Sequence, residues 1–208
     1  MEINPNLEQI LYSAYEPCKE LARNCTSMRW EPAAGFLPRG FLGATGSLEE
    51  VELILVCAEP GDPHKNEVHT GMTSVYQYAH YAFETKMDVF HKNIRAIMDS
   101  CWLSLSFDEQ LKKVWITESV LCSAHRECGT IPHCAEETCG KKFLLPQLGL
   151  FPHALTVAMG NKAEERLKKL GFTNFISVDS AAAPGGNTKR AKLSFEKIPS
   201  ELNKRKLI

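Results

Sequence analysis

The segment Val51-Glu52-Leu53-Ile54-Leu55-Val56-Cys57 is an almost unbroken apolar run that ends at Ala58-Glu59-Pro60-Gly61-Asp62-Pro63. A strand with apolar side chains pointing both ways needs cover on both faces, which is the condition of a parallel strand inside an α/β sheet. Pro60 and Gly61 then force the chain out of the sheet. Ligands in such sheets sit beyond the carboxyl ends of the strands, so Glu59 and Asp62 are the first candidates for chemistry. Carboxylates on tight turns are also common without any such duty.

Further strands are expected over 114–121, 154–158 and 174–178. Helical spacing runs from Leu7 to Cys25 with a break near Pro17, one or two helices fill 74–100, and another covers 135–147. Asn161 and Glu164 have the spacing of a capping box that opens a helix over 163–170. Residues 32–47 hold four glycines and two prolines beside Phe36, Leu37, Phe41 and Leu42, the composition of a packed loop. The alternation predicts a three-layer, doubly wound α/β fold, with a mainly parallel four-stranded sheet and helices on both faces. At 208 residues and 44% hydrophobic content, one domain is expected. Its parts are an N-terminal helix and packed loop (1–49), a sheet core (50–180) and a C-terminal loop with a basic tail (181–208).

A net charge of -1 makes no global electrostatic case for nucleic acid or membrane, so a polyanion contact must be local. Lys189, Arg190 and Lys192 form one local patch, although basic tails are commonly just solvated. No run approaches the roughly 18 apolar residues of a membrane span, and Met1-Glu2-Ile3-Asn4 does not start a secretory signal, so a cytoplasmic protein is expected, and a monomer. The eight cysteines then read as reduced, with packing, metal binding or catalysis as their uses.

Cys122, His125, Cys128, His133, Cys134 and Cys139 crowd into 18 residues, where they could close around zinc or supply part of an iron-sulfur cluster. Cys18 and Cys25 lie farther upstream, seven residues apart. On a continuous helix that spacing separates them by roughly 10 Å along the axis. Either the helix ends between them, or they are core thiols on an apolar face.

The strand exits Cys57-Ala58-Glu59-Pro60-Gly61, Thr117-Glu118-Ser119-Val120-Leu121-Cys122, Ala158-Met159-Gly160-Asn161-Lys162 and Asp179 through Asn187, in this order, resemble the uracil-DNA glycosylase superfamily. The similarity covers roughly residues 50–187 and is greatest to the bacterial and archaeal members that carry an iron-sulfur cluster. It implies cleavage of the bond between a damaged or deaminated base and its sugar in single-stranded or damaged duplex DNA, with the nucleotide flipped into a pocket. It places Glu59, with Asp62 as second choice, as the carboxylate that stabilises an oxocarbenium-like sugar or orients water. It also implies an iron-sulfur cluster held by Cys18, Cys25, Cys122 and Cys139, with a zinc site among residues 122–139, or no metal, as alternatives.

The departures from the family pattern carry their own expectations. Glu118 stands where the family commonly has Asn; an ionised Glu only accepts hydrogen bonds, which suits a base presenting amino or imino donors, or a basic neighbour. The final motif, with Pro184, Gly185, Gly186 and Asn187, lacks the family's His. Backbone amides or Asn187 are left to meet the departing base, and a plain glycine-rich turn is the alternative. Lys189 and Arg190 suit phosphates, Tyr76 or Tyr78 a stacked base, and His64 or His69 proton transfer. Two other readings stand beside the glycosylase: a non-catalytic nucleic-acid or nucleotide-binding protein of the same fold, and a metal-stabilised interaction domain.

Overall fold

The apolar run before Glu59 becomes the middle strand of a five-stranded sheet in the computed structural model, which describes residues 3–65 and 67–205. The strands are β1 (Leu42–Gly43), β2 (Leu53–Cys57), β3 (Val114–Glu118), β4 (Leu155–Met159) and β5 (Ile176–Val178), in the order β1-β3-β2-β4-β5. β2 to β5 pair in parallel, and β1 runs antiparallel to β3. The sheet is therefore mixed and has one strand more than expected. The extra strand comes from the connector read as a packed loop, and glycine makes it possible: Gly43 has φ 110, and a Cβ there would lie 2.0 Å from the Val114 carbonyl oxygen.

Every residue of β2, β3 and β4 is buried, as continuous apolar strands require. The helices are α1 (Pro5–Tyr12), α2 (Met72–Glu84), α3 (Val89–Cys101), α4 (Phe107–Lys113), α5 (His133–Cys139), α6 (Leu145–Gly149), α7 (Asn161–Lys169), α8 (Lys189–Phe195) and α9 (Lys197–Arg205). A π-helical turn, Gly140–Leu144, joins α5 to α6. α7 and α9 pack against β4, α4 against β3 and α8 against β5. After β2 the chain adds β3 on one side and later β4 on the other, so the carboxyl ends of these three strands surround the point where the winding reverses.

Several local expectations need correction. The N-terminal helix stops at Tyr12, well before Pro17, and a short 3-10 turn, Lys19–Ala22, carries the chain between Cys18 and Cys25. β3 ends at Glu118 rather than at residue 121. Asn161 does not cap α7 but begins it; Gly160, at φ 95, is the cap and makes no side-chain bond. The stretch 181–205 is not a solvated tail, because α8 and α9 bury Ala191, Phe195, Ile198 and Leu202. Thr188 starts α8 by accepting from the Ala191 amide at 3.1 Å.

Candidate functional site

A cavity of about 1120 Å³ opens at the carboxyl ends of the strands. The exits of β2, β3 and β4, the loop 179–185 and one side of α2 form its walls. Cys57 of β2 pairs in register with Glu118 of β3, so two carboxylates, Glu59 and Glu118, arrive at neighbouring strand ends.

Glu118 is 5% exposed, and its Oε2 has no hydrogen-bond partner. Burial pushes its carboxyl well above the usual range, and the nearby charge of Glu59 adds to the rise, while Arg166 and Arg39 oppose it. Burial thus favours the acid form, which has an O–H to donate and a carbonyl oxygen to accept, over the ionised form, which only accepts. Gly40 makes room for it: at φ 88, a Cβ on residue 40 would sit 2.5 Å from the Glu118 Cγ.

Glu59 is held differently. Arg166 Nη1 donates to its Oε2 at 2.7 Å, and Lys162 donates to Oε1. Arg166 is 3% exposed and also donates to the Ala58 carbonyl at 2.7 Å, to Ser119 Oγ at 3.0 Å and to Glu136 Oε1 at 2.8 Å. One guanidinium thus ties the exits of β2 and β3 to α5. The sequence signal for it was present but unread: Ala163, Arg166, Leu167 and Leu170 share one face of α7, and an Arg on an apolar face needs buried partners.

Arg39 was also missed. It is 8% exposed, donates to the Gly35 carbonyl at 3.2 Å and to the Gly61 carbonyl, and lies 3.7 Å from Glu67 Oε1. It fixes the turn after Glu59 from the side of the glycine-rich connector. Asn93 of α3, 2% exposed, does the same for the last loop, donating to the carbonyls of Ala181 at 2.7 Å and Gly186 at 3.1 Å.

Asp62 lies exposed on the cavity wall. Tyr76 is not a stacking residue: it is 1% exposed, donates to the Gly43 carbonyl at 2.7 Å and packs 6.5 Å from the Phe41 ring, inside the core. Tyr78 does reach the cavity, with the His69 ring edge-on at 5.4 Å. His69 is buried and bound to Glu67 at 2.7 Å. Gly185 lines the cavity, but the Gly186 amide already donates to the Ala182 carbonyl at 2.7 Å and is not free for a departing base. Pro184, Asn187 and Lys189 are exposed and lie outside the cavity lining. Arg190 lines it and holds Asp179 through two hydrogen bonds, at 3.0 and 3.1 Å. Lys192 donates to Asn93 instead of standing free.

Cys18, Cys25, Cys122 and Cys139, from three separate parts of the chain, line one small void beneath β3 and the α5–α6 segment. The helix ends at Tyr12, before both of the first two, which are buried thiols of the core on either side of the 3-10 turn Lys19–Ala22. Burial, then Cys18, Glu20 and Cys134, raises the Cys25 thiol to about 11. The Leu121 amide donates to Cys139 Sγ at 3.4 Å and Lys142 Nζ to Cys18 Sγ at 3.8 Å. Cys128 and Cys134, with His125 and His133, are exposed and do not join them. Among the described residues no three of these sulfurs fall within 4.8 Å of one another, whereas tetrahedral zinc spaces its sulfurs about 3.8 Å apart. Among the described residues, the Cys and His side chains of 122–139 are not gathered into one ligand set.

Compared with protein-family models and with curated proteins, the chain matches none. Among the described residues no helix is long and apolar enough to cross a membrane.

Proposed function

We propose that the protein is a DNA glycosylase of the uracil-DNA glycosylase type, with a three-layer doubly wound core, that hydrolyses the bond between a damaged or deaminated base and its sugar. The observation that carries this reading is Glu118, a buried carboxyl with an unpaired oxygen at the wall of a cavity large enough for a flipped nucleotide. A neutral carboxyl offers the donor and acceptor pair that an amide offers. It therefore suits a base edge with adjacent carbonyl and imino groups, as in uracil, thymine, hypoxanthine or xanthine. Its O–H also points a donor at the base oxygen on which negative charge collects as the glycosidic bond breaks, a role that compensates for the missing His of the last motif.

Glu59, fixed by Arg166 and Lys162, supplies a stationary negative charge near the β2 exit to oppose the developing sugar cation, and Asp62 stands on the same wall to orient water. Tyr78 offers a ring to the base, and Arg190 a rim cation to the backbone phosphates. The iron-sulfur cluster that the resemblance implies would draw on the four thiols that line this void, two of which, Cys139 and Cys18, receive hydrogen bonds from the Leu121 amide and Lys142. Such a cluster would pin the N-terminal segment to the end of β3 and to α5.

A second reading, binding without hydrolysis, is favoured by the two cations on Glu59, which engage both of its oxygens. The test is abasic-site formation by anaerobically purified protein on single-stranded and duplex oligonucleotides carrying uracil, hypoxanthine, xanthine or a thymine mismatch. Release of one of these bases, lost in Glu59→Gln, is expected. Salt-dependent binding with no release from any of them would refute hydrolysis and leave the binding reading.

A further inference from the structure

The cavity lining also carries a cluster of His64, Asp88 and His91, apart from the strand-end carboxylates in sequence. His64, from the loop after β2, places Nε2 3.3 Å from Asp88 Oδ2. His91, in the first turn of α3, places Nδ1 2.8 Å from Asp88 Oδ1. One donor atom from each of the three residues lies within 4.8 Å of the other two, the one such set among the described residues. All three residues line the cavity.

Asp88 is the N-cap of α3 and accepts the His91 amide at 3.0 Å on Oδ1. Capping needs one oxygen and no imidazole, so two histidines gathered on the same carboxylate are more than the helix start requires. The His91 ring and the His64 backbone are also held in place. Phe83 and Phe90 meet the His91 ring edge-on at 4.6 and 5.4 Å. The His64 amide donates to Glu67 Oε2 at 2.8 Å, and Glu67 is itself anchored by His69. Metal to nitrogen and metal to oxygen bonds of about 2.0 to 2.2 Å put neighbouring ligand atoms about 2.8 to 3.5 Å apart, a range that includes both of the observed imidazole to carboxylate separations.

We propose that His64, Asp88 and His91 bind a first-row divalent transition cation as a two-histidine, one-carboxylate site. Three protein ligands leave further coordination positions, and because the ligands line the cavity, those positions are available to water or to an oxygen of a bound phosphate or sugar. Borderline imidazole nitrogens with one carboxylate favour cobalt, nickel, zinc or iron over magnesium or calcium. The inference does not depend on the glycosylase reading.

The test is titration of the whole protein with Co²⁺, followed by visible absorption and calorimetry. One equivalent should bind with the weak visible bands of nitrogen and oxygen ligands and without a thiolate-to-cobalt charge-transfer band, which separates this site from the cysteines. His64→Ala, in an exposed loop, and Asp88→Asn, which keeps the capping oxygen, should each weaken binding by about tenfold or more. Circular dichroism checks that each variant is folded; if Asp88→Asn is not, His64→Ala decides. No Co²⁺ uptake by the wild type, uptake only with a charge-transfer band, or unchanged affinity in His64→Ala would overturn the proposal.

Discussion

Replacing Glu118 with Gln should remove one specific slope from the stability curve. Burial holds the Glu118 carboxyl well above its ordinary value of 4.5, so above that pH the unfolded chain has released a proton that the folded chain keeps. The folded state then binds more protons than the unfolded state, and stability must fall as pH rises, by about 1.4 kcal/mol for each pH unit. The contribution is fully present below 4.5 and is lost as pH climbs to the raised folded value, beyond which the curve levels. The groups that set the shift are Glu59, which raises it, and Arg166 and Arg39, which lower it; all three remain in the variant. Glu118→Gln places a second buried N–H where Oε2 had no partner, at a cost of about 1 to 3 kcal/mol that does not vary with pH. The difference in slope is therefore the quantity to read, not the offset. Urea unfolding of both proteins from about pH 5 to about pH 8 measures it: the wild type should lose stability relative to the variant by about 1.4 kcal/mol per unit over the lower part of that range. Base release should follow the same titration, falling in the wild type as Glu118 ionises and staying flat in the variant. Parallel stability curves would refute the protonated carboxyl, and with it the account of how the pocket reads a base.

Arg166→Met should cost about 3 to 5 kcal/mol in chemical denaturation, because it leaves Glu59 and Glu136 without their shared buried partner. The same change with Glu59→Gln should cost less than the sum of the two single changes, as a double-mutant cycle would measure. Tyr76→Phe should lose about 0.5 to 1.5 kcal/mol with its hydrogen bond to Gly43, while base release on oligonucleotides stays unchanged, since the ring lies in the core. Serine at Cys18, Cys25, Cys122 or Cys139 should lower the iron content and visible absorption of anaerobically purified protein, whereas serine at the exposed Cys128 or Cys134 should change neither.

What could be read from the sequence follows from the range of the forces involved. β2 and the parallel core were legible because burial on both faces leaves a one-dimensional trace, the apolar run before Glu59. β1 left no such trace, since two residues paired across Gly43 depend on how closely Val114 approaches, a fact about three dimensions. Asn161 and Glu164 had the right spacing for a capping box, but Gly160 was already the cap, and spacing alone does not say where a helix begins. Tyr76 and Tyr78 looked alike because two residues turn a helix through more than half a circle without changing its composition; only the packing shows that one meets the core and the other the cavity. The sequence placed Glu118 at a strand exit but not its ionisation, which depends on burial and on neighbours brought from residues 39, 59 and 166.

The two carboxylates also explain each other. Glu59 and Glu118 leave adjacent parallel strands, and two anions so close in a poorly hydrated site repel. α7 resolves the conflict in favour of one of them: Arg166 and Lys162 both donate to Glu59, and neither makes a hydrogen bond to Glu118. Burial then shifts the unpaired carboxyl towards its protonated form. Two residues of the same type are thus set apart, one paired with two cations and one buried with an unpaired oxygen, and on the proposed reading they would serve the cation left behind and the departing base. Burial of Glu118 comes first in this division, and Arg166 with Lys162 adds to it by placing both donated hydrogen bonds on Glu59.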